Sequence, residues 1–237
     1  MPPNSEIRCT ANCLTCDSRF LHVFCNFHPD ALARFEELGA HITRESNTVL
    51  FREGSPSANV FMVCSGQVKL STLSEEGRSF VLKIASHGDL LGLSAVVTNA
   101  PYEATAETIG IAQLKVIPRP DFLKFIEVFG EASRHTASVL AEQHQAATYD
   151  VRRLGLSGSA SAKLAHTLLE LKHSANQRPS ALTFPLLLTH EEMAEMTGTS
   201  RETVSRLMSQ FKREGLIVIN GVELTILRPD LLEHMAI

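Results

Sequence analysis

Residues 189–227, THEEMAEMTGTSRETVSRLMSQFKREGLIVINGVELTIL, constrain the fold more than any other stretch. Thr189 followed three residues later by Glu192 is a capping-box start for a helix. Gly198 stops that helix, as a residue able to take positive φ does. Ser200 can cap a second helix running to about Gly215. Within it Val204, Leu207, Met208 and Phe211 recur at spacings of three and four, which buries one face. Arg201, Glu202, Ser205, Arg206 and Ser209 fall on the other face. Two short helices joined by a tight turn form a helix-turn-helix arrangement. The runs LIVI and VELTIL then flank Asn220-Gly221, a strong hairpin signal that predicts a type I′ turn and hence a wing.

A charged face on an amphipathic helix is most often only a solvated face. Here capping box, glycine turn, two-arginine face and Asn-Gly wing occur together, which favours a nucleic-acid reader. The run Thr199-Ser200-Arg201-Glu202-Thr203-Val204-Ser205-Arg206 resembles the DNA-reading end of the cAMP-receptor-protein/FNR (Crp/Fnr) family of bacterial transcription regulators. That family's signature there is T-S/C-R-E-T-V-S/G-R. The resemblance implies DNA contacts from Thr199, Ser200, Arg201, Glu202, Ser205 and Arg206. Arg201 and Arg206 are each expected at a guanine O6 and N7, with Glu202 accepting from cytosine N4. Glu202 and Arg206, one turn apart, are expected to buttress each other. The implied half-site contains TGA, within TGTGA or TTGAT, repeated as an inverted pair. The implied partners are double-stranded DNA, a second copy of the chain and RNA polymerase.

The chain has 237 residues, of which 44% are hydrophobic, enough for one large or two medium cores. A formal net charge of −4 means that any basic surface must be local; Lys212 and Arg213 join Arg201 and Arg206 in such a patch. No apolar run reaches the length of a membrane span. The start, MPPNSEIRCTANC, has no apolar signal-peptide core, so a cytoplasmic protein is expected.

An α+β architecture emerges along the chain. Residues 29–39 read as a short helix. Residues 41–118 alternate in short runs (TVLF, VFMVC, QVKLSTL, FVLKI, AQLKVI) punctuated by Gly54, Gly66, Gly77 and Gly88. Strands at that spacing argue an antiparallel barrel or sandwich. FREG at 51–54, CSGQVKL at 64–70 and GDLLG at 88–92 resemble the same family's β-roll turns, which implies a cyclic-nucleotide-binding-type jelly roll. The family's nucleotide binders open the next helix with Glu and place an Arg ten residues later. Here those positions are Leu93 and Glu103, with Ala104 after them. A phosphate facing Glu103 would be repelled, so no cAMP binding is expected.

Pro118-Arg119-Pro120 breaks the β pattern, and Asp121 is expected to cap a helix over 122–128. In the long helical run that follows to about 154, Ala137, Leu140, His144, Ala147, Val151 and Leu154 form an a/d seam for a homodimer. His144 is read there as structural rather than titrating. Gly155-Leu156-Ser157-Gly158-Ser159 reads as a hinge. The division is therefore a Cys-rich segment over 1–28, a sensor β-roll over 29–128, a dimerisation helix over 129–155 and a winged helix-turn-helix over 156–237.

Five cysteines in a reducing compartment point to free thiols or metal chemistry. Cys9, Cys13, Cys16 and Cys25 follow a C-x3-C-x2-C-x8-C order. The oxygen-sensing branch of the family holds a [4Fe–4S] cluster with three cysteines here and one distant cysteine. In this chain the distant place is taken by Lys115 and Val116. The set Cys9, Cys13, Cys16 and Cys25 stays open as cluster ligands, as zinc or redox-active thiols, or as structural remnants. Cys64 reads as an ordinary buried residue.

No nucleophile elbow, P-loop or H-E-x-x-H motif occurs, so an enzyme is not expected. The competing function is a cyclic-nucleotide-binding-like module that acts through protein partners rather than DNA.

Overall fold

The computed structural model describes residues 12–16, 19–156, 159–175 and 182–236. Two compact units divide the chain: Met1–Lys69 with Ala85–Gln145, and Leu70–Ile84 with Ala146–Ile237.

Three short 3-10 turns, Cys13–Thr15, Arg19–Leu21 and Val23–Cys25, lead to helix α1, Pro29–Glu37. Strands β1 (Ala40–Arg44), β2 (Val49–Phe51), β3 (Asn59–Leu73), β4 (Ser79–Ala85) and β5 (Leu90–Leu91) follow. Then come α2 (Leu93–Thr98), β6 (Thr105–Pro118), α3 (Arg119–Val128) and α4 (Gly130–Leu156). The strands form one six-stranded sheet in the order β1-β6-β3-β4, with β2 on β6 and β5 on β3. The register sets His41 directly across from Lys115 and Ile42 across from Leu114.

Three details depart from the sequence reading. Gly66 is not a turn, because β3 runs through it. It holds φ +81 within the strand, where a Cβ would strike the Ile111 carbonyl oxygen at 2.4 Å, so only glycine lets β3 and β6 lie this close. Asp121 is not a cap. Helix α3 begins two residues earlier, since Pro120 fits the first turn of a helix, where its missing N–H costs nothing. Gly155 and Leu156 continue α4, while Ser157 and Gly158 lie outside the described residues. Ser159 ends the break by capping the next helix, its hydroxyl accepting the Ala162 N–H at 3.0 Å.

An aromatic cluster anchors the Cys-rich segment to this unit. Phe24 is 1% exposed, and its ring lies 5.2 Å from Phe27, 5.7 Å from Phe35 and 5.7 Å from Phe122. Two residues of the segment therefore share a core with α1 and α3. Full burial of each ring contributes roughly 1.5–3 kcal/mol.

The C-terminal elements are α5 (Ala160–Ala175), β7 (Thr183–Pro185), α6 (His190–Thr197), α7 (Arg201–Arg213), β8 (Ile217–Asn220), β9 (Glu223–Ile226) and α8 (Pro229–Met235). The three strands pair in the order β7-β9-β8. Asn220 pairs with Glu223, so the turn is Gly221-Val222, one residue later than expected. Only Gly221, at φ +62, is left-handed there. That is the pattern of a type II′ turn, and it replaces the expected I′, which needs positive φ at both central residues and is costly for the β-branched Val222. Helix α8, opened by Pro229, was not foreseen; it buries Leu232.

Candidate DNA-reading face and cysteine-lined cavity

Local chemistry fixes the helix pair. The Thr189 hydroxyl accepts the Glu192 N–H, and the Glu192 carboxylate accepts the Thr189 N–H at 2.9 Å, closing the capping box. Gly198 ends α6 at φ +62. The Ser200 hydroxyl accepts the Thr203 N–H at 3.2 Å and starts α7. Thr199 is tied to the turn, its hydroxyl 2.8 Å from that of Thr197.

The apolar face of α7 is buried, with Val204 and Phe211 at 0%, Met208 at 1% and Leu207 at 5% exposure. Burial on that face sets the helix rotation, which leaves Arg201, Glu202, Arg206 and Ser209 exposed on the other. Lys212 and Arg213 are exposed at the end of the same helix. Ser205 is half-buried, and its hydroxyl lies 2.7 Å from His190 Nδ1 on α6. It braces the two helices, a role that the sequence does not announce.

Glu202 differs from the expected buttress. Its own backbone N–H and the Ser200 hydroxyl hold its carboxyl below the ordinary carboxylate range. Among the described residues no ion pair joins it to Arg206. The unpaired N–H groups of a helix start are nearer partners than a side chain one turn on.

On α4, Ala137, His144 and Ala147 are exposed, and Val151 and Leu154 belong to the same helix. Leu140, expected in the seam with them, is half-buried and packs partly against the protomer's own aromatic core.

At the start of α2, Gly92 is left-handed at φ +71, with Tyr102 close beneath it. Leu93 is 1% exposed and points into the core. The Ser94 hydroxyl donates to the Glu103 carboxylate at 2.8 Å. This corner therefore presents a carboxylate, Glu103, at the position where the sequence comparison expected an Arg.

The cysteines are gathered elsewhere. Cys13, Cys16, Cys25 and Cys64 form no disulfide and line one cavity of about 20 Å3, together with Arg19, His41, Met62 and His87. Cys9 lies outside the described residues. Cys64, read from sequence as an ordinary buried residue, is buried at 6% exposure and also reaches this wall. The Cys25 thiol donates to Met62 Sδ at 3.5 Å.

Beside Cys13 stand three ionisable groups that the sequence reading did not connect. The Cys13 N–H donates to Glu36 Oε2 at 2.8 Å. Burial, and then the thiol's hydrogen bond to Glu36, push the Cys13 thiol well above its usual range. Burial works to raise the Glu36 carboxyl, but the Cys13 donors, Lys115 and His41 together hold it low. His41 Nε2 is 3.5 Å from Glu36 Oε2, and burial, then Lys115, lowers its pKa. Lys115 is fully buried; its ammonium donates to the Glu36 carbonyl oxygen at 2.9 Å and lies 3.4 Å from His41 Nε2.

A four-iron cube does not fit these thiols as they stand. The cavity admits about one water-sized sphere. Lys115, at the place where the family's distant thiolate is expected, brings a cation in its stead.

A six-stranded sensor-type sheet, a long helix and a winged helix-turn-helix with a two-arginine face define a class: a DNA-binding regulator with a cyclic-nucleotide-type N-terminal domain. The comparisons with known proteins agree. Residues 42–129 match the cyclic nucleotide-binding domain, and residues 162–235 match the Crp-like helix-turn-helix domain. A CRP-like cAMP-activated global transcriptional regulator from Mycobacterium tuberculosis is 26% identical over 205 residues, 86% of this chain and 91% of the relative. An anaerobic regulatory protein of Bacillus subtilis is 24% identical over 193 residues, 81% of each chain. The structure of FixK2 from Bradyrhizobium japonicum matches the fold with a TM-score of 0.77 at 20% identity, over 84% of this chain and 98% of that one. The chain belongs to the Crp/Fnr family of transcription regulators, which are DNA-binding proteins and not enzymes. Among the described residues no helix is long and apolar enough to cross a membrane.

Proposed function

We propose that the chain acts as a homodimer on an inverted repeat with TGA-containing half-sites, and that its signal enters through the N-terminal cysteine region. The observation that carries the DNA reading is the exposure of Arg201, Glu202 and Arg206 on a helix whose other face is locked in the core. Arg201 and Arg206 reach guanine edges. Glu202, with its carboxyl drawn to the helix start, faces cytosine N4. Lys212 and Arg213 supply phosphate contacts, which offset the chain's net charge of −4. RNA polymerase is the downstream partner.

The dimer uses the exposed residues Ala137, His144 and Ala147, with Val151 and Leu154 following in the same heptad order of the sequence. Leu140 contributes only with the part of its surface that its own core leaves open. Ala147→Lys tests the stripe without disturbing a protomer core, since a charge trapped in the seam costs several kcal/mol. The expected result is a monomer in sedimentation; a dimer that still binds DNA would move the interface elsewhere.

The relatives' names offer two signals, cAMP activation and anaerobic regulation. Cyclic AMP is disfavoured by Leu93 and by the Ser94–Glu103 bond, which places an acceptor where the phosphate would lie. A redox or oxygen signal at the cysteines is favoured by the gathering of four thiols on one cavity. A [4Fe–4S] form of that signal, on Cys9, Cys13, Cys16 and Cys25, requires the segment to open around the cluster.

The experiment is a gel shift with an inverted TGA repeat and a scrambled duplex of equal length. Selective retardation of the repeat supports the reading. Equal binding or none would favour the alternative, a module acting through protein partners.

A further inference from the structure

The donor set beside the cavity is of a kind that holds one small ion. Cys13 Sγ, a Glu36 carboxylate oxygen and a His41 ring nitrogen all lie within 4.8 Å of one another. Glu36 Oε2 and His41 Nε2 are 3.5 Å apart, close to the edge of about 3.4 Å expected for a tetrahedron with bonds of about 2.1 Å. The three residues come from three places: a 3-10 turn, α1 and β1. Cys25 lines the same cavity, its thiol now on Met62 Sδ, and is the fourth donor of the site proposed below.

We propose that Cys13, Glu36, His41 and Cys25 form a site for a single divalent transition metal of the zinc class. This rests on the reading that the cysteine region receives the signal, and names a ligand for it.

Lys115 explains why two thiolates are needed. With one thiolate, the carboxylate and neutral imidazole, a divalent ion makes a neutral shell, and the buried ammonium would stand uncompensated beside it. A second thiolate makes the shell carry −1, and Lys115 neutralises it. Without metal, the Glu36 carboxylate balances Lys115, 3.9 Å away, and loading would release the proton of each ligating thiol to solvent. Both states are neutral, which lets a fully buried lysine persist through loading and unloading. The mixture of sulfur, imidazole and carboxylate donors suits zinc and disfavours magnesium or calcium, which take oxygen. The small cavity also suits one ion rather than a cube.

Loading would pull the first 3-10 turn and the Cys25 turn toward α1 and β1. Cys25 is adjacent to Phe24 of the aromatic core, so the ion would add a further tie between the segment and the sheet, beside the packing and the Cys13–Glu36 and Cys25–Met62 hydrogen bonds.

The test is Co2+ titration of the reduced full-length protein under argon, read by absorbance, with metal content by mass spectrometry after dialysis. The expected result is one Co2+ per chain, a sulfur-to-cobalt charge-transfer band in the near ultraviolet and tetrahedral d–d bands, all bleached by Zn2+. Cys13→Ser and His41→Ala should each weaken binding by at least about 100-fold, with unchanged circular dichroism. Cys64→Ser should leave the spectrum intact. Substoichiometric metal would overturn the proposal. So would a band that survives both Cys13→Ser and His41→Ala, or a brown chromophore after iron and sulfide reconstitution that ignores His41. Gel shift on the inverted repeat separates the two readings. A protein that binds DNA but no metal fails here alone; one that binds metal but no repeat fails as a DNA reader alone.

Discussion

The reading helix and the cysteine segment solve opposite problems. Helix α7 turns its chemistry outward: Arg201 and Arg206 are exposed, and four apolar residues hold the helix from behind. Its geometry comes from neighbours in sequence, since Ser200 and the Thr189–Glu192 box set both helix starts. The cysteine segment turns its chemistry inward. Its thiols face a cavity, and its geometry comes from residues far along the chain, such as Glu36, Met62 and Lys115. A reader must present fixed groups to a rigid duplex, which favours local, self-sufficient helix caps. The sensing role proposed for the cysteine segment would be served by a segment held by a few distant contacts that a small ligand can strengthen or replace.

The largest effect that separates the two regions is in packing. Phe24→Ala removes a ring that meets three others in the core, and should cost about 3–5 kcal/mol. Thermal unfolding followed by circular dichroism should show one destabilised transition for the N-terminal unit. Because the cysteine turns hang from this ring, metal or redox response should be lost with it, while the isolated chemistry of α7 is untouched. A Phe24→Ala protein with wild-type melting would mean that the segment is held by something else.

For the reader, Arg206→Ala should cost about 1–3 kcal/mol on the inverted repeat and relax preference at one base pair. Anisotropy on specific and random duplexes checks this. An equal loss on both would assign Arg206 to phosphate.

The cysteine segment should also respond to acid in a way that the reading helix does not. Burial, then the neighbouring His87, lowers the His22 pKa to about 4, and the two rings lie 4.6 Å apart. A depressed folded pKa means that the unfolded chain binds the proton more readily. His22 therefore contributes stability that is present above its ordinary pKa of 6.5 and is lost as the pH falls through about 4. After discounting for its partial exposure, the effect is about 1–2 kcal/mol. His22→Gln should flatten the stability profile between pH 6.5 and 4. An unchanged acid slope would remove His22 as its source.

The smallest effect is a cap. Thr189→Ala opens the capping box and should lower the stability of the C-terminal unit by about 1 kcal/mol, seen in urea unfolding, with sequence preference retained. Loss of preference would show that the reader depends on more than local caps.

The same contrast explains what could be read from the sequence. The Thr189 cap, the Gly198 stop, the Ser200 cap and the buried face of α7 depend on residues three or four apart, and each stands where the pattern put it. The errors in the β regions are small and local. The wing turn slipped by one residue, because Asn220 stays in its strand and Gly221 takes the left-handed place. Gly66 signalled a turn but serves a close strand crossing, since a glycine pattern alone does not distinguish the two. Of the donor set, Cys13 and Cys25 stood out in the sequence, while Glu36, His41 and their neighbour Lys115 did not. His41 and Lys115 are 74 positions apart and meet only through the β1–β6 register, and Glu36 joins them from α1. Only the pairing of strands brings these groups to Cys13. Likewise Cys64 looked like a strand residue and is one, yet its strand forms a wall of the cavity.

The central claim is that the cysteine region, not the nucleotide corner of the sheet, controls DNA reading. The most direct measurement is fluorescence anisotropy of a labelled inverted TGA repeat with the full-length protein, repeated with saturating cAMP and with Zn2+ or a chelator. The account predicts an affinity that cAMP leaves unchanged and that metal loading or removal shifts, with the shift absent in Cys13→Ser. An affinity raised by cAMP, abolished by a change at Glu103 and indifferent to metal, would contradict it.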